Sequence, residues 1–248
     1  MSIVRDRGRI RLGVIVPFSN ANLEPDMVRM KGEGMSVHFM RAGGYDLNQV
    51  PDSEQMRQFA DASLEPVLEA LCAMRPHGIV YGCTSATLSH GLVYDNQFVA
   101  RMEAISGVPC VTAAGSLVCA LKAVRAQRVA FGSPYTRQLN EEGAAFLDGA
   151  GLEVVNVGYI GEDLGNYGQS MLEPAQVFAL GEKTDHPDAD VVVLSCTDMR
   201  AMEVIEALET VLGKPVVTSN QASMYAICRK LSCGAELPGS LAQHLNNC

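Results

Sequence analysis

No Cys-x-x-Cys pair occurs among the eight cysteines of this 248-residue chain, which stand at positions 72, 83, 110, 119, 196, 228, 233 and 248. The ligand spacing of a structural zinc site is missing, and no metal is expected. No apolar run approaches the ~18 residues of a membrane-spanning helix, so the chain reads as a soluble protein. The basic cluster Arg5, Arg7, Arg9 and Arg11 lacks the apolar stretch of a secretory leader and reads as a solvated lead-in to the first strand. Positive charge is scarce overall: 19 Lys and Arg against 28 Asp and Glu leave a formal net charge of -9. That balance argues against nucleic acid or an anionic membrane as a general partner, since both attract basic surfaces. Without a leader, a reducing cytoplasmic setting is expected, in which cysteines are either buried small hydrophobes or reactive thiolates.

What is present is a pattern that occurs twice. The stretch Gly78 to Leu88 runs Ile-Val-Tyr-Gly into Cys83-Thr84-Ser85, and Val191 to Met199 runs Val-Val-Val-Leu-Ser into Cys196-Thr197-Asp198. An apolar, β-branched run reads as a buried strand, and the small residue with Cys-Thr reads as the point where strand gives way to helix. Upstream of each lies a further landmark. Arg11 to Pro17 and Arg128 to Pro134 both place Arg and Pro six positions apart, which pairs Phe18 with Tyr135 and Asn20 with Arg137. The interval from Pro17 to Cys83 is 66 residues, and from Pro134 to Cys196 it is 62. Downstream, Gly107-Val-Pro109-Cys-Val-Thr112 matches Gly213-Lys-Pro215-Val-Val-Thr218. Three landmarks in one order at similar spacing indicate a duplication.

Strands alternating with helical stretches predict an α/β fold of two pseudo-symmetric parallel-sheet halves. Further strands are expected at Ser36 to Arg41 and Pro109 to Thr112, with helices from about Ser53 to Ala73, Tyr94 to Ile105, Ala114 to Val124 and Gln221 to Leu231. The last two helices follow the final strand of each half and are placed to cross between halves. The expected division is residues 1–115 with 221–248 against 116–220. Both cysteines then lie at carboxyl ends of strands, where open α/β sheets bind ligands, in a cleft between the halves.

A cysteine where a strand enters a helix has its sulfur near the positive end of the helix dipole, which favours thiolate. Backbone N–H groups and the hydroxyls of Thr84, Ser85, Thr87 and Thr197 supply neutral donors for a small carboxylate, with no Arg clamp in the pattern. Two thiols on opposite sides of one carbon can take a proton from one face and return it to the other, or one can attack while its partner supplies the proton. Cys72, Cys110, Cys119, Cys228 and Cys233 read as structural, and Cys248 as incidental. His90, seven residues past Cys83, reads as a helix-face residue rather than a catalytic base. The loop from Gly161 to Gly168 fits no phosphate-binding pattern and is placed as a cover over the site.

Paired Cys-Thr strand ends in duplicated halves resemble the aspartate/glutamate racemase superfamily. The Val-Pro17-Phe-Ser-Asn20 turn with Glu24 behind it, Ser-Pro134-Tyr135, and Thr218-Ser-Asn-Gln221-Ala are similar to its branch of maleate cis-trans isomerases and arylmalonate decarboxylases. The resemblance spans nearly the whole chain. It implies a cofactor-independent enzyme acting on a small-molecule carboxylate, with a homo-oligomer left open. It also implies that Cys83 adds to the substrate double bond, that the adduct rotates about the new single bond, and that Cys196 serves as acid and base. Asn20 and Tyr135 would bind the carboxylate, joined by Pro17, Phe18, Thr84, Ser85, Thr197 and Asn166. Arylmalonate decarboxylases carry glycine at the first cysteine position, so Cys83 argues against that activity.

The chain also departs from the branch. Phe18 stands where the turn usually has a hydroxyl, Ala21-Asn22 replaces a Thr pair, and the expected Asp-Asn motif is broken, since Leu164 follows Asp163 and Asn166 comes two positions late. A lost polar contact leaves one carboxylate of a compact dicarboxylate less well satisfied and keeps open a bulkier substrate packed on Phe18. Two alternatives stand beside cis-trans isomerisation: a two-thiol racemase or epimerase of an amino acid, hydantoin or hydroxy acid, and a non-catalytic carboxylate-binding protein.

Overall fold

A computed structural model describes residues 9–43, 52–161 and 164–245. Eight strands are present among them: β1 (Ile10–Pro17), β2 (Met35–Ala42), β3 (Gly78–Tyr81), β4 (Cys110–Thr112), β5 (Arg128–Ser133), β6 (Glu153–Tyr159), β7 (Val191–Leu194) and β8 (Val216–Thr218). The helices are α1 (Leu23–Met30), α2 (Ser53–Cys72), α3 (Ser85–Leu88), α4 (Gly91–Ser106), α5 (Ala113–Ala123), α6 (Arg137–Gly149), α7 (Gly165–Gly168), α8 (Pro174–Thr184), α9 (Ile205–Leu212), α10 (Ser219–Leu231) and α11 (Ala242–Leu245). Part of the basic lead-in, the Gly44 to Pro51 loop, Asp163 and Cys248 lie outside the described residues.

The strands form two parallel four-stranded sheets, β2-β1-β3-β4 and β6-β5-β7-β8. The two orders are the same, as a duplication requires. In each, the second strand lies on one side of the first and the third on the other, so the strand order reverses between β1 and β3 and between β5 and β7. A crevice opens at such a reversal, beyond the carboxyl ends of the two strands. Helices cover both faces of a parallel sheet, which is why its central strands read as unbroken apolar runs. Val191, Val192, Val193 and Leu194 are all fully buried, as are Ile79 and Val80. At roughly 1.5–3 kcal/mol for each large apolar side chain taken out of water, these short strands hold the sheet centres firmly.

The correspondence reaches individual hydrogen bonds. Helices α4 and α9 both end on a left-handed glycine, Gly107 at φ 69° and Gly213 at φ 67°. Glu103 accepts from the Cys110 N–H at 3.0 Å, and Glu209 accepts from the Val216 N–H at the same distance. Thr112 caps α5 by accepting from the Gly115 N–H, and Thr218 caps α10 by accepting from the Gln221 N–H. Helix α10 follows the last strand of the second sheet, yet it packs against α5, α1, β3 and β4 of the first.

Candidate active site

Four loops converge at the two reversal points. In the first half they follow β1, carrying Pro17 to Asn20, and β3, carrying Cys83. In the second they follow β5, carrying Pro134 and Tyr135, and β7, carrying Cys196. Each cysteine stands two residues beyond its strand, after Gly82 and Ser195. Gly82 cannot be larger: a Cβ there would press into the Leu23 side chain and lie 2.8 Å from the Ile15 carbonyl.

Cys83 is partly exposed and borders a small cavity of about 30 Å³ lined by Pro17, Tyr81, Ala86 and the α2 residues Met56 and Ala60. The cavity lies on the α2 side of the thiol, against Met56, Ala60 and Ser63. The Ser85 hydroxyl lies 3.7 Å from the sulfur. Burial pushes the Cys83 thiol pKa up, opposed by the Ala86 N–H, the Ser85 hydroxyl and the Ser85 N–H.

Cys196 is buried. Its thiol donates to Gln169 Oε1 at 3.2 Å, and the Asp198 N–H donates to its sulfur at 3.3 Å. Burial raises its pKa well above the ordinary thiol range, the Asp198 charge adds to this, and the Asp198 N–H and Tyr135 hydroxyl oppose it. Tyr135 is also buried, within hydrogen-bonding reach of Cys196 and Thr84 and close enough to Cys83 to feel its charge. The Tyr135 hydroxyl is thereby held neutral, its pKa raised by burial first and by the two sulfurs next. It is a donor set beside Cys196.

The expectation that both cysteines stand where a strand hands over to a helix holds for Cys83, which α3 follows at once. It fails for Cys196, where a turn follows and α9 begins only at Ile205. The backbone there has other partners. Thr197 O accepts from Asn220 Nδ2 at 3.1 Å, and the Asp198 N–H is spent on the Cys196 sulfur. Cys196 therefore lacks a helix that starts directly behind it.

The Asn20 amide sits at the centre of the contact between halves. Its Oδ1 accepts from the N–H groups of Asn22 at 3.0 Å and Leu23 at 2.9 Å, which closes the turn into α1. Its Nδ2 donates to Thr197 Oγ1 at 3.0 Å, and Thr197 in turn donates to Gly82 O at 2.9 Å. Thr84 donates to Ser219 Oγ at 3.1 Å, tying the Cys83 loop to the start of α10. Pro17 and Phe18 are half-buried at the end of β1. Arg137, the repeat partner of Asn20, is on the surface and pairs with Glu141. His90 stands in the turn before α4 rather than on a helix face, where it reaches the Ser53 carbonyl at 2.7 Å and meets Tyr94 edge-on. The loop after β6 includes α7, and Gln169 behind it touches Cys196.

Several supporting residues were not picked out from the sequence. Arg41 donates to the carbonyls of Phe18 at 3.0 Å and Asn20 at 2.8 Å while pairing with Glu24, so it shapes the first turn through the backbone. Asn140 donates to the carbonyls of Tyr135 and Thr136 and accepts from Ser133, fixing the Tyr135 turn. Asp198 accepts from the N–H groups of Ala21 and Asn22. Among the described residues no group of three or more His, Cys, Asp and Glu side chains could hold a metal ion, and no helix is long and apolar enough to cross a membrane.

Comparison with known proteins places this geometry. A maleate isomerase of Pseudomonas putida is 28% identical over 240 residues, covering 93% of this chain and 95% of its own. Among solved structures, the maleate isomerase Iso of Pseudomonas putida S16, as a cysteine-to-alanine variant with maleate, superposes with a TM-score of 0.87 at 22% identity, over 95% of this chain and 98% of its own. A cysteine-to-serine variant of the Nocardia farcinica maleate cis-trans isomerase, with a covalently bound succinylcysteine intermediate, gives 0.84 at 26% identity, over 94% and 98%. The family model described as arylmalonate decarboxylase matches residues 12–242. The chain therefore belongs to the arylmalonate decarboxylase family, in the branch shared with the maleate isomerases that the repeated Cys-Thr strand ends resemble.

Proposed function

We propose that this chain is a cofactor-independent cis-trans isomerase of a small unsaturated dicarboxylate, with maleate as substrate and fumarate as product. The observation that carries the reading is the pair of thiols two residues beyond the equivalent strands β3 and β7, with the Tyr135 hydroxyl beside Cys196. The maleate isomerase relatives, one of them with a succinylcysteine intermediate, support it.

The reaction starts with the Cys83 thiolate. Its sulfur bonds to C2 of the substrate, the double-bond electron pair moves onto C3 and its carboxylate, and the Cys196 thiol gives C3 a proton. The product of this step is a succinyl thioether on Cys83. Rotation about the C2–C3 single bond, followed by removal of a C3 proton by the Cys196 thiolate, re-forms the double bond in the trans geometry and expels the Cys83 thiolate. Both thiols return to their starting states, so no net electron or proton is consumed. Asn20, Tyr135 and Ser85 offer neutral donors to the carboxylates, and Thr84, whose proton goes to Ser219, holds the Cys83 loop in place. Pro17 and Phe18 form the apolar side, Thr197 acts by holding Asn20, and Asn166, whose side chain lies outside the described residues, is assigned to the Gly161 to Gly168 loop as part of a cover. In this reading the working halves are residues 1–115 with 221–248 and 116–220.

Incubation of the purified protein with maleate in deuterium oxide, followed by proton NMR, tests the reading. Fumarate is expected, and Cys83→Ala and Cys196→Ala are each expected to lower turnover by at least about a thousandfold. No conversion by the folded wild-type chain would remove maleate as the substrate. Deuterium entering the α-carbon of an amino or hydroxy acid would instead favour the two-base racemase.

A further inference from the structure

The two thiols occupy equivalent places, yet the reaction proposed above, on which this inference rests, gives them opposite tasks: one must ionise and attack, the other must hold a proton. The distinction has to lie where the two halves differ. Two residues beyond each thiol the chain has Ser85 in the first half and Asp198 in the second. Ser85 is neutral, and its hydroxyl lies 3.7 Å from Cys83 Sγ, where it can donate to a thiolate.

Asp198 is a different neighbour. It is buried, 7% exposed, and one carboxylate oxygen is clamped by the Ala21 N–H at 2.8 Å, the Asn22 N–H at 3.2 Å and Asn22 Nδ2 at 3.3 Å. Those donors belong to the first half, so the carboxylate both locks the halves together and cannot swing away from Cys196. Its backbone N–H donates to the Cys196 sulfur at 3.3 Å, which fixes the distance between thiol and charge. On the other side, Gln169 Oε1 accepts the thiol proton at 3.2 Å, a bond that only the protonated form can make.

We propose that the Ser85/Asp198 pair breaks the symmetry of the duplicated halves, with Asp198 acting as a positioning residue that keeps Cys196 a protonated acid and Ser85 leaving Cys83 free to become the nucleophile. The charged and titratable groups facing Cys196 agree with this. Burial raises its thiol pKa most, the Asp198 charge comes next and the Cys83 sulfur adds to both, whereas the Asp198 N–H and the Tyr135 hydroxyl lower it. No carboxylate is among the influences on Cys83. Burial raises the Asp198 carboxyl to about 6 against the Ala21 and Asn22 N–H groups, the Asn22 amide and, least, Arg41, which leaves it mostly ionised at neutral pH.

Two substitutions test the assignment. Asp198→Asn keeps an acceptor for the Ala21 and Asn22 N–H groups and removes the charge, and Ser85→Asp installs a charge beside the other thiol. Alkylation of each cysteine by iodoacetamide is followed peptide by peptide by mass spectrometry over a series of pH values. In Asp198→Asn alkylation of Cys196 is expected to be about tenfold faster than in wild type above about pH 7 and to converge on the wild-type rate below about pH 5, where the wild-type carboxyl, raised to about 6, is itself neutral, while Cys83 stays within about twofold. In Ser85→Asp the Cys83 rate is expected to fall about tenfold. An unshifted Cys196 curve in folded Asp198→Asn would overturn the proposal. So would a rate increase equal at every pH, because that reports access rather than ionisation. If Asp198→Asn fails to fold, an unchanged Cys83 rate in Ser85→Asp overturns it alone. Alkylation needs no substrate: the expected shifts in a protein that leaves maleate untouched would remove the isomerase reading and not the effect of Asp198 on its thiol.

Discussion

Replacing Asp26 by asparagine should stabilise this protein, although it removes an ionised group with a hydrogen-bond partner. Asp26 lies on α1, half-buried, and its Oδ2 accepts from Asn220 Nδ2 at 2.7 Å. Burial raises its carboxyl to about 6, and Glu203 adds to the rise, while the Asn220 hydrogen bond and Arg29 oppose it. A carboxyl whose pKa is higher in the folded than in the unfolded chain binds its proton more tightly when folded. Its contribution to stability is present below the unfolded value of 3.8 and is lost as pH rises through about 6. At neutral pH the fold therefore carries the cost of a half-buried charge. A rise of about two pH units, at roughly 1.4 kcal/mol each, caps that cost near 3 kcal/mol, and partial exposure brings the expected gain from Asp26→Asn to about 1–2 kcal/mol. The new amide keeps an acceptor for Asn220 Nδ2. It also brings a donor near Asn220 Oδ1, which has no hydrogen-bond partner among the described residues. Urea unfolding followed by circular dichroism should show the gain at about pH 7.5 and its shrinkage below about 1 kcal/mol near pH 4. A variant no more stable than wild type at neutral pH, or one stabilised equally at both, would refute the reasoning.

Three further outcomes are expected. Thr197→Val strips partners from Gly82 O and Asn20 Nδ2 in the interior, and urea unfolding should register a loss of about 2–3 kcal/mol. Tyr135→Phe removes the hydroxyl between Cys196 and Thr84, so kcat for maleate should fall about a hundredfold with the melting temperature nearly unchanged; a loss confined to KM would place the hydroxyl in binding alone. Because burial raises the Cys83 thiol, its ionised fraction grows with pH, and kcat/KM should climb about tenfold per pH unit through neutrality; a flat profile would show that Cys83 ionisation does not govern the reaction.

The sheets and their duplication were legible because the chain could be compared with itself. The Pro-turn, Cys-Thr and Gly-x-Pro landmarks recur in order, and each maps onto an equivalent structural place: β1 and β5, β3 and β7, and the caps Thr112 and Thr218. The repeat paired Tyr135 with Phe18, whereas a role for it at the site came only from the family resemblance. The supporting layer was not legible. Asp198 meets Ala21 across 177 positions of sequence, and Asn20 meets Thr197 across the same separation, with no periodicity to announce either. Arg41 and Asn140 act on backbone carbonyls, which look alike in every sequence. The turn after Cys196 escaped because Cys-Thr followed by polar residues reads as a helix start. What decides otherwise is that Asn220 takes the carbonyl of Thr197.

The bridge from Asn20 through Thr197 to Gly82 has a consequence in hydrogen-bond valence. An asparagine side chain offers two N–H donors and two acceptor lone pairs, and a threonine hydroxyl has one proton to give. Thr197 gives its proton to Gly82 O and accepts from Asn20, and both Asn20 lone pairs are taken by the N–H groups of Asn22 and Leu23. The Asn20 amide is left with a single N–H and no capacity to accept. An atom meeting it must therefore be an acceptor: a carboxylate oxygen satisfies it, whereas the NH2 of a half-amide or the ammonium of an amino acid would find a donor facing a donor. The fold fixes this polarity through neutral groups alone, the Thr197 hydroxyl and the N–H groups of Asn22 and Leu23.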